Sequence, residues 1–166
     1  MKKFTLFLLI VSLVFSFCGC SLMHDIPEET APPEDDFLVT AYSDGREVKP
    51  LEVFVWADTW TDNGWISADG ARIDSSLSTT AHNIPLIPNS KDFSFKYGTG
   101  VEFVSMTVYN GKFEKISQTD GPTPIEELES GTYYLIIEAT KQGKFIISQN
   151  KYETSCYQFA YRLVIQ

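Results

Sequence analysis

Hydrophobic positions along the chain fall into two regimes. Phe4 to Phe17 (FTLFLLIVSLVFSF) is an apolar run broken only by Thr5, Ser12 and Ser16. From Phe37 onward, short apolar-rich or alternating segments are separated by turn residues, the signature of strands. Phe37–Tyr42 is an apolar-rich strand candidate closed by Ser43-Asp44-Gly45, a turn signal. Leu51–Ala57 (LEVFVWA) follows Pro50. Asp92–Tyr97 sets Phe93, Phe95 and Tyr97 against Ser94 and Lys96. Val101–Tyr109 sets Val104, Met106 and Val108 against Ser105 and Thr107. Asn110-Gly111 beside Phe113 and Ile116 predicts a hairpin through a type I′ turn, which needs positive φ at both central residues. Gly131–Thr140 is strongly apolar. Lys141-Gln142-Gly143-Lys144 is predicted to turn the chain into Phe145–Ser148. In Ser155–Gln166, Tyr157, Phe159, Tyr161, Leu163 and Ile165 share one face, with Cys156, Gln158 and Arg162 on the more polar one.

One helical signal stands out. Thr123-Pro124-Ile125-Glu126 combines an N-cap threonine, proline at the first helical position and glutamate at the third. Gly131 ends it after one or two turns. The expected fold is therefore all-β: an antiparallel sandwich with one short helical turn before the penultimate long strand.

The opening apolar run changes the picture of where this domain works. Lys2 and Lys3 precede it, and it is too short to span a bilayer comfortably as a permanent helix. A buried core helix would show a polar face, and this run has none. The run ends in Phe17-Cys18-Gly19-Cys20-Ser21, which resembles the lipobox of bacterial lipoproteins, where a small residue precedes the modified cysteine. Phe17 and Cys18 depart from the usual residues of that motif. The resemblance implies a signal peptide over residues 1–19 and lipid attachment at Cys20. It places the protein at the extracytoplasmic face of the cell membrane. Two acyl chains hold a protein stably where one does so marginally.

Residues 20–36 follow as a tether. Ser21–Asp36 holds Pro27, Pro32, Pro33 and six carboxylates, with no Lys or Arg. Such a stretch buries too little apolar surface to offset its ordering entropy, and its charges extend it. Residues 37–166 then form one domain of 130 residues. With Cys18 cleaved away and Cys20 lipidated, Cys156 has no partner for an internal disulfide, so the fold must rest on its core.

The formal charge is −9; removing Lys2 and Lys3 makes the mature chain −9 − 2 = −11. Nucleic acid is excluded as a partner, because phosphates need Lys and Arg. Repulsion from anionic headgroups is also expected, so membrane contact should run through the lipid anchor.

Glu129-Ser130-Gly131-Thr132-Tyr133-Tyr134-Leu135 resembles the start of strand F in immunoglobulin-like domains. There the tyrosine hydroxyl bonds back to nearby backbone as a tyrosine corner. The resemblance gives Tyr133 that role and puts Leu135 where antibody domains carry a cysteine. An ordinary glycine-started strand with a core tyrosine is the alternative. A wider likeness joins Tyr42-Ser43-Asp44-Gly45, Phe54-Val55-Trp56, Thr59 to Trp65, Ala68-Asp69-Gly70 and Gly131 to Tyr134. Over most of residues 40–166 the chain is similar to the extracytoplasmic C-terminal region of Gram-positive membrane metallopeptidases related to β-lactam sensors. Peptidase activity does not follow, since the chain has no HExxH motif. Nor is β-lactam acylation carried over from the resemblance.

No catalytic set is legible, and the expectation is a noncatalytic protein with no cofactor and no metal. The only histidines are His24, in the tether, and His82. No zinc-type spacing, nucleophile elbow or phosphate loop occurs. Asp58, Asp62, Asn63 and Asp69 cluster, yet a calcium loop starting at Asp58 would place Trp60 third and Asn63 sixth, which breaks the EF-hand pattern. A dyad of Cys156 with His82 would need the fold to bring them together. Trp56 is assigned to the core. Trp60 and Trp65 flank the Thr61-Asp62-Asn63-Gly64 turn and are the candidate ligand-binding residues. The leading expectation is a binding or sensing module for an envelope protein or ligand. The rival is a carbohydrate-binding module stacking cell-wall glycans on Trp60 and Trp65.

Overall fold

The computed structural model describes residues 38–88, 91–120 and 128–166. These residues form nine strands, all paired antiparallel, in two sheets. Strands β1 (Val39–Ser43), β2 (Arg46–Val48) and β5 (Phe93–Tyr97) make a three-stranded sheet in the order β2-β1-β5. The other six make the larger sheet: β3 (Leu51–Thr61), β4 (Gly64–Asp69), β6 (Val101–Asn110), β7 (Lys115–Thr119), β8 (Gly131–Ile146) and β9 (Lys151–Ile165). Their order is β4-β3-β9-β8-β6-β7.

The long β8–β9 ribbon lies at the centre, and side-chain alternation along it builds two buried clusters. Tyr133, Leu135, Ile137 and Ala139 of β8 and Phe159, Tyr161 and Leu163 of β9 gather with Val39, Ala41 and Val48 of the small sheet. Fully burying such side chains contributes roughly 1.5–3 kcal/mol each. Tyr161 also donates its hydroxyl to the buried Val39 carbonyl at 3.0 Å, fastening one sheet to the other. The intervening residues Tyr134, Ile136 and Ala160 face the opposite way and meet Ile73, Leu77, Ala81 and Ile84. Being covered on both faces explains why Tyr133 to Ile137 are buried without interruption.

The second cover is a helical segment that strand alternation does not predict. A 3₁₀ turn (Asp74–Ser76), helix α1 (Leu77–Thr80) and a second 3₁₀ turn (Ala81–Asn83) follow one another. Ile73, Leu77, Ala81 and Ile84 recur at four-, four- and three-residue steps, the helical period. The capping-box turn at Thr123–Glu126, like residues 1–37, lies outside the described residues.

Two β-bulges correct the phase of the apolar pattern. In β6 the register shifts between Phe103 and Ser105, leaving Val104 as the extra residue. Val101 and Phe103 then share a face with Met106 and Val108, and Val104 is expelled from the core side where alternation had placed it. In β3 the shift lies between Phe54 and Trp56. It turns Trp56 toward the face of Leu51 and Val53, and Trp56 ends half-buried and outside both clusters. Its assignment to the core is thereby corrected.

Two turn expectations are also corrected. Lys141–Lys144 does not reverse the chain. The pairing of β8 with β9 skips from Gln142 to Phe145, so Gly143 sits in a bulge, and the reversal comes later at Ile147–Asn150. There Asn150, at φ 48°, supplies the left-handed residue. The β6–β7 hairpin forms, but without a type I′ turn. Asn110 Oδ1 accepts from the amides of Lys112 and Glu114, and the positive φ (66°) falls on Phe113. Its ring packs 5.4 Å from that of Tyr134, which offsets the strain. The two adjacent positive-φ residues are instead Asp44 (51°) and Gly45 (70°), joining β1 to β2.

The hydrogen bond expected of Tyr133 is present. Its hydroxyl donates to the Glu129 carbonyl at 2.9 Å, and the ring lies over Gly131, where a Cβ would sit 3.5 Å away.

Candidate functional site

The face of the large sheet that carries α1 is only partly covered. Beside the helical segment it leaves a polar groove of about 300 Å³ over β6, β8 and β9. Ile136, Val104 and Tyr109 give it apolar surface. Arg72, Asp74, Glu138, Lys115, Asp120 and Gln158 supply charge and hydrogen-bonding groups.

A connected network fixes these groups. Arg72 Nη2 donates to Glu138 Oε2 at 2.5 Å, and Arg72 Nε to Asp74 Oδ1 at 3.2 Å. Gln158, fully buried, donates from Nε2 to the same Glu138 oxygen at 3.2 Å and accepts at Oε1 from the Ile73 amide at 2.8 Å. The sheet register makes this possible, because Glu138 and Gln158 are cross-strand partners. The helical segment is thus pinned to the sheet by one buried amide and one half-exposed ion pair. Asp74 holds the Arg72 guanidinium even more firmly protonated than usual. Burial, with Asp74 nearby, raises the Tyr109 phenol above its ordinary range. On the groove's other side Lys115 Nζ donates to Gln118 Oε1.

Cys156 lies in the same layer. It is buried, and burial first, then the charge of Glu138, pushes its thiol up to about 11. A nucleophilic cysteine needs the reverse shift. His82 stands on an exposed turn and is not among the groups that act on Cys156. Among the described residues no group of three or more His, Cys, Asp or Glu is placed to hold a metal ion. No described helix is long and apolar enough to cross a membrane.

Trp60 and Trp65 are brought together away from the groove. They are cross-strand partners in the β3–β4 hairpin, half-buried, with ring centroids 5.5 Å apart and edge to face. Lys151 Nζ sits 4.3 Å from the centre of the Trp65 ring and 3.4 Å from Asp58 Oδ2. Asp58 also accepts from Ser67 Oγ at 2.5 Å. The Trp60 amide donates to Glu153 Oε1 at 2.9 Å, tying the hairpin to β9. Cys20 lies outside the described residues.

The groove residues were missed in the sequence. The available signal was Glu138, a lone carboxylate inside the apolar strand Tyr133–Ala139, with Gln158 equally isolated among aromatic neighbours in the next strand. Isolated polar groups on buried strands demand partners. Compared with known proteins, the chain matches no family model, no curated protein and no solved structure.

Proposed function

We propose that this protein is a membrane-anchored, noncatalytic lipoprotein whose extracytoplasmic β-sandwich binds or senses a small polar ligand in the groove beside α1. The observation that carries the reading is the Arg72–Glu138–Gln158 network. It holds charged groups in fixed positions around an open concavity, which is how polar ligands are oriented. The apolar run, Gly19-Cys20 and the acidic tether support the anchor and its location. The immunoglobulin likeness rests on the Tyr133 corner. The β3–β4 hairpin lies beyond β9, outside the strand set of that fold, so the likeness to extracytoplasmic regions of sensor-like metallopeptidases stays a proposal about ancestry alone.

The test is a thermal-shift survey with amino acids, short peptides and cell-wall glycan fragments. A ligand at about 100 times its Kd adds about 2.7 kcal/mol and raises Tm by several degrees. The rise should vanish in Arg72→Ala and Glu138→Gln. A survey without any shift, or shifts retained in both variants, would refute the groove reading. The rival, glycan stacking on Trp60 and Trp65, has less geometric support, because Lys151 and the Trp60 edge occupy the surroundings of the Trp65 ring. Glycan binding lost in Trp65→Ala but kept in Arg72→Ala would favour it.

A further inference from the structure

The distal end of the β8–β9 ribbon gathers three of the exposed large apolar side chains. Ile147 is 81% exposed, Tyr152 45% and Phe145 40%. The Phe145 and Tyr152 rings meet across the ribbon, tilted, with centroids 4.7 Å apart, and the 3₁₀ turn Ile147–Gln149 presents Ile147 at the apex. Three large apolar side chains on one hairpin tip are left exposed by the other described residues.

Charge distribution says what does. The chain as a whole is strongly acidic, yet from Ala139 to Tyr152 there is no carboxylate and there are three lysines: Lys141, Lys144 and Lys151. The carboxylates around these lysines are engaged: Lys141 acts on Glu52, and Glu102 accepts from Gln142 Nε2. Asp58 is engaged by Ser67 and Lys151, and Glu153 by the Trp60 amide. Net charge governs long-range repulsion, but salt screens it beyond about 8–10 Å. At contact range the tip offers apolar side chains flanked by ammonium groups. Lysine stems lie along apolar surface while their heads stay in water, and aromatic rings favour the headgroup level.

We infer that the β8–β9 tip docks onto a lipid bilayer bearing anionic headgroups, with Phe145, Ile147 and Tyr152 entering the interface and Lys141 and Lys144 meeting phosphates. This inference goes beyond the ligand groove. It uses the anchor reading only for the membrane's proximity. Contrary to the expectation from net charge, membrane contact would then involve the protein surface as well as the lipid.

All three tryptophans lie in β3 and β4, and Trp65 touches Lys151, so native fluorescence reports on the tip. Full-length protein bearing its lipid is reconstituted in vesicles of three parts phosphatidylcholine to one part phosphatidylglycerol, with shallow brominated lipid as quencher. The expected result is quenching about twofold or more stronger than in pure phosphatidylcholine vesicles, weakened by high salt. It should be lost in Ile147→Asp and in the Lys141→Glu, Lys144→Glu double variant. An added Ile147→Trp should shift to the blue on the anionic vesicles only. Equal quenching in both lipid mixtures, or quenching unchanged in Ile147→Asp, would overturn the inference. So would a tip that instead joins two copies, seen as a dimer broken by Ile147→Asp with no lipid dependence. Flotation with vesicles but without tryptophan quenching would sink the tip and leave the anchor standing. Failure to float at all would strike the anchor reading instead.

Discussion

The two halves of the β8–β9 ribbon obey opposite rules although they are one continuous hairpin. In the basal half, Tyr133 to Ala139 and Phe159 to Leu163 are packed from both sides, by the small sheet and by the helical segment. In the distal half, from Gln142 through Tyr152, every residue but the buried Ile146 is exposed, polar and apolar alike, and a bulge at Gly143 breaks the register. Both halves keep their cross-strand hydrogen bonds. What separates them is what lies above and below. Strand pairing alone therefore says nothing about which part of a sheet holds the fold together and which part is free to meet a partner.

The sharpest way to break this comparison is thiol reactivity. Cys156 marks the boundary, buried and with its thiol pushed up to about 11 by burial and by Glu138. Labelling at mildly alkaline pH, followed by mass mapping of the peptide that contains it, should track global unfolding. A cysteine introduced as Ile147→Cys should react at the rate of a free thiol. For a domain of ordinary stability the two rates should differ on the order of 10³-fold or more. Comparable rates would mean that the basal half opens locally and that the contrast is false.

Truncation measures the same contrast as stability. Leu135 is fully buried, so Leu135→Ala should cost about 2–5 kcal/mol and lower the denaturation midpoint sharply. Ile147→Ala removes a similar side chain at the apex and should stay within about 0.5 kcal/mol. A smaller effect belongs to the link between the sheets. Tyr161→Phe strands the buried Val39 carbonyl and should cost about 1–3 kcal/mol. Burial raises the Tyr161 phenol far above its ordinary range, so it is protonated and able to donate under all working conditions.

How much of this was legible in the sequence follows from the same contrast. Alternation in Ser155–Gln166 placed Tyr157, Phe159, Tyr161, Leu163 and Ile165 correctly on one face, because the buried side demands it. The bond from the Tyr133 hydroxyl back to the Glu129 carbonyl was legible from seven residues. The bulges were legible only as slips of phase: Val101 and Phe103 are out of step with Met106 and Val108, and Val104 is the residue between. The distal turn was misplaced because Gly143 signals either a reversal or a bulge, and local sequence does not separate them. The groove was hidden because Arg72, Glu138 and Gln158 come from distant segments that only the folded register brings together.

The smallest expected effect tests whether the basal half tolerates charge at its edge. Glu52 of β3 is partly buried, and desolvation raises its carboxyl above the ordinary value, opposed by Lys141. A carboxyl raised in this way takes up a proton on folding, so its contribution is favourable below the unfolded carboxylate range and is lost as pH rises through the folded value. Asp58, at the distal end, is shifted the other way, chiefly by the Ser67 hydroxyl. Its contribution is present above the unfolded carboxylate range and is lost as pH falls through the lowered folded value. Glu52→Gln should therefore stabilise the protein at neutral pH, and Asp58→Asn should destabilise it. Each change should be small, as expected of solvent-accessible positions, and both should fade in strong acid. Thermal midpoints of the two variants, followed from neutral pH into acid, should approach the parent from opposite sides. Approach from the same side would mean that burial does not distinguish the two ends of the sheet.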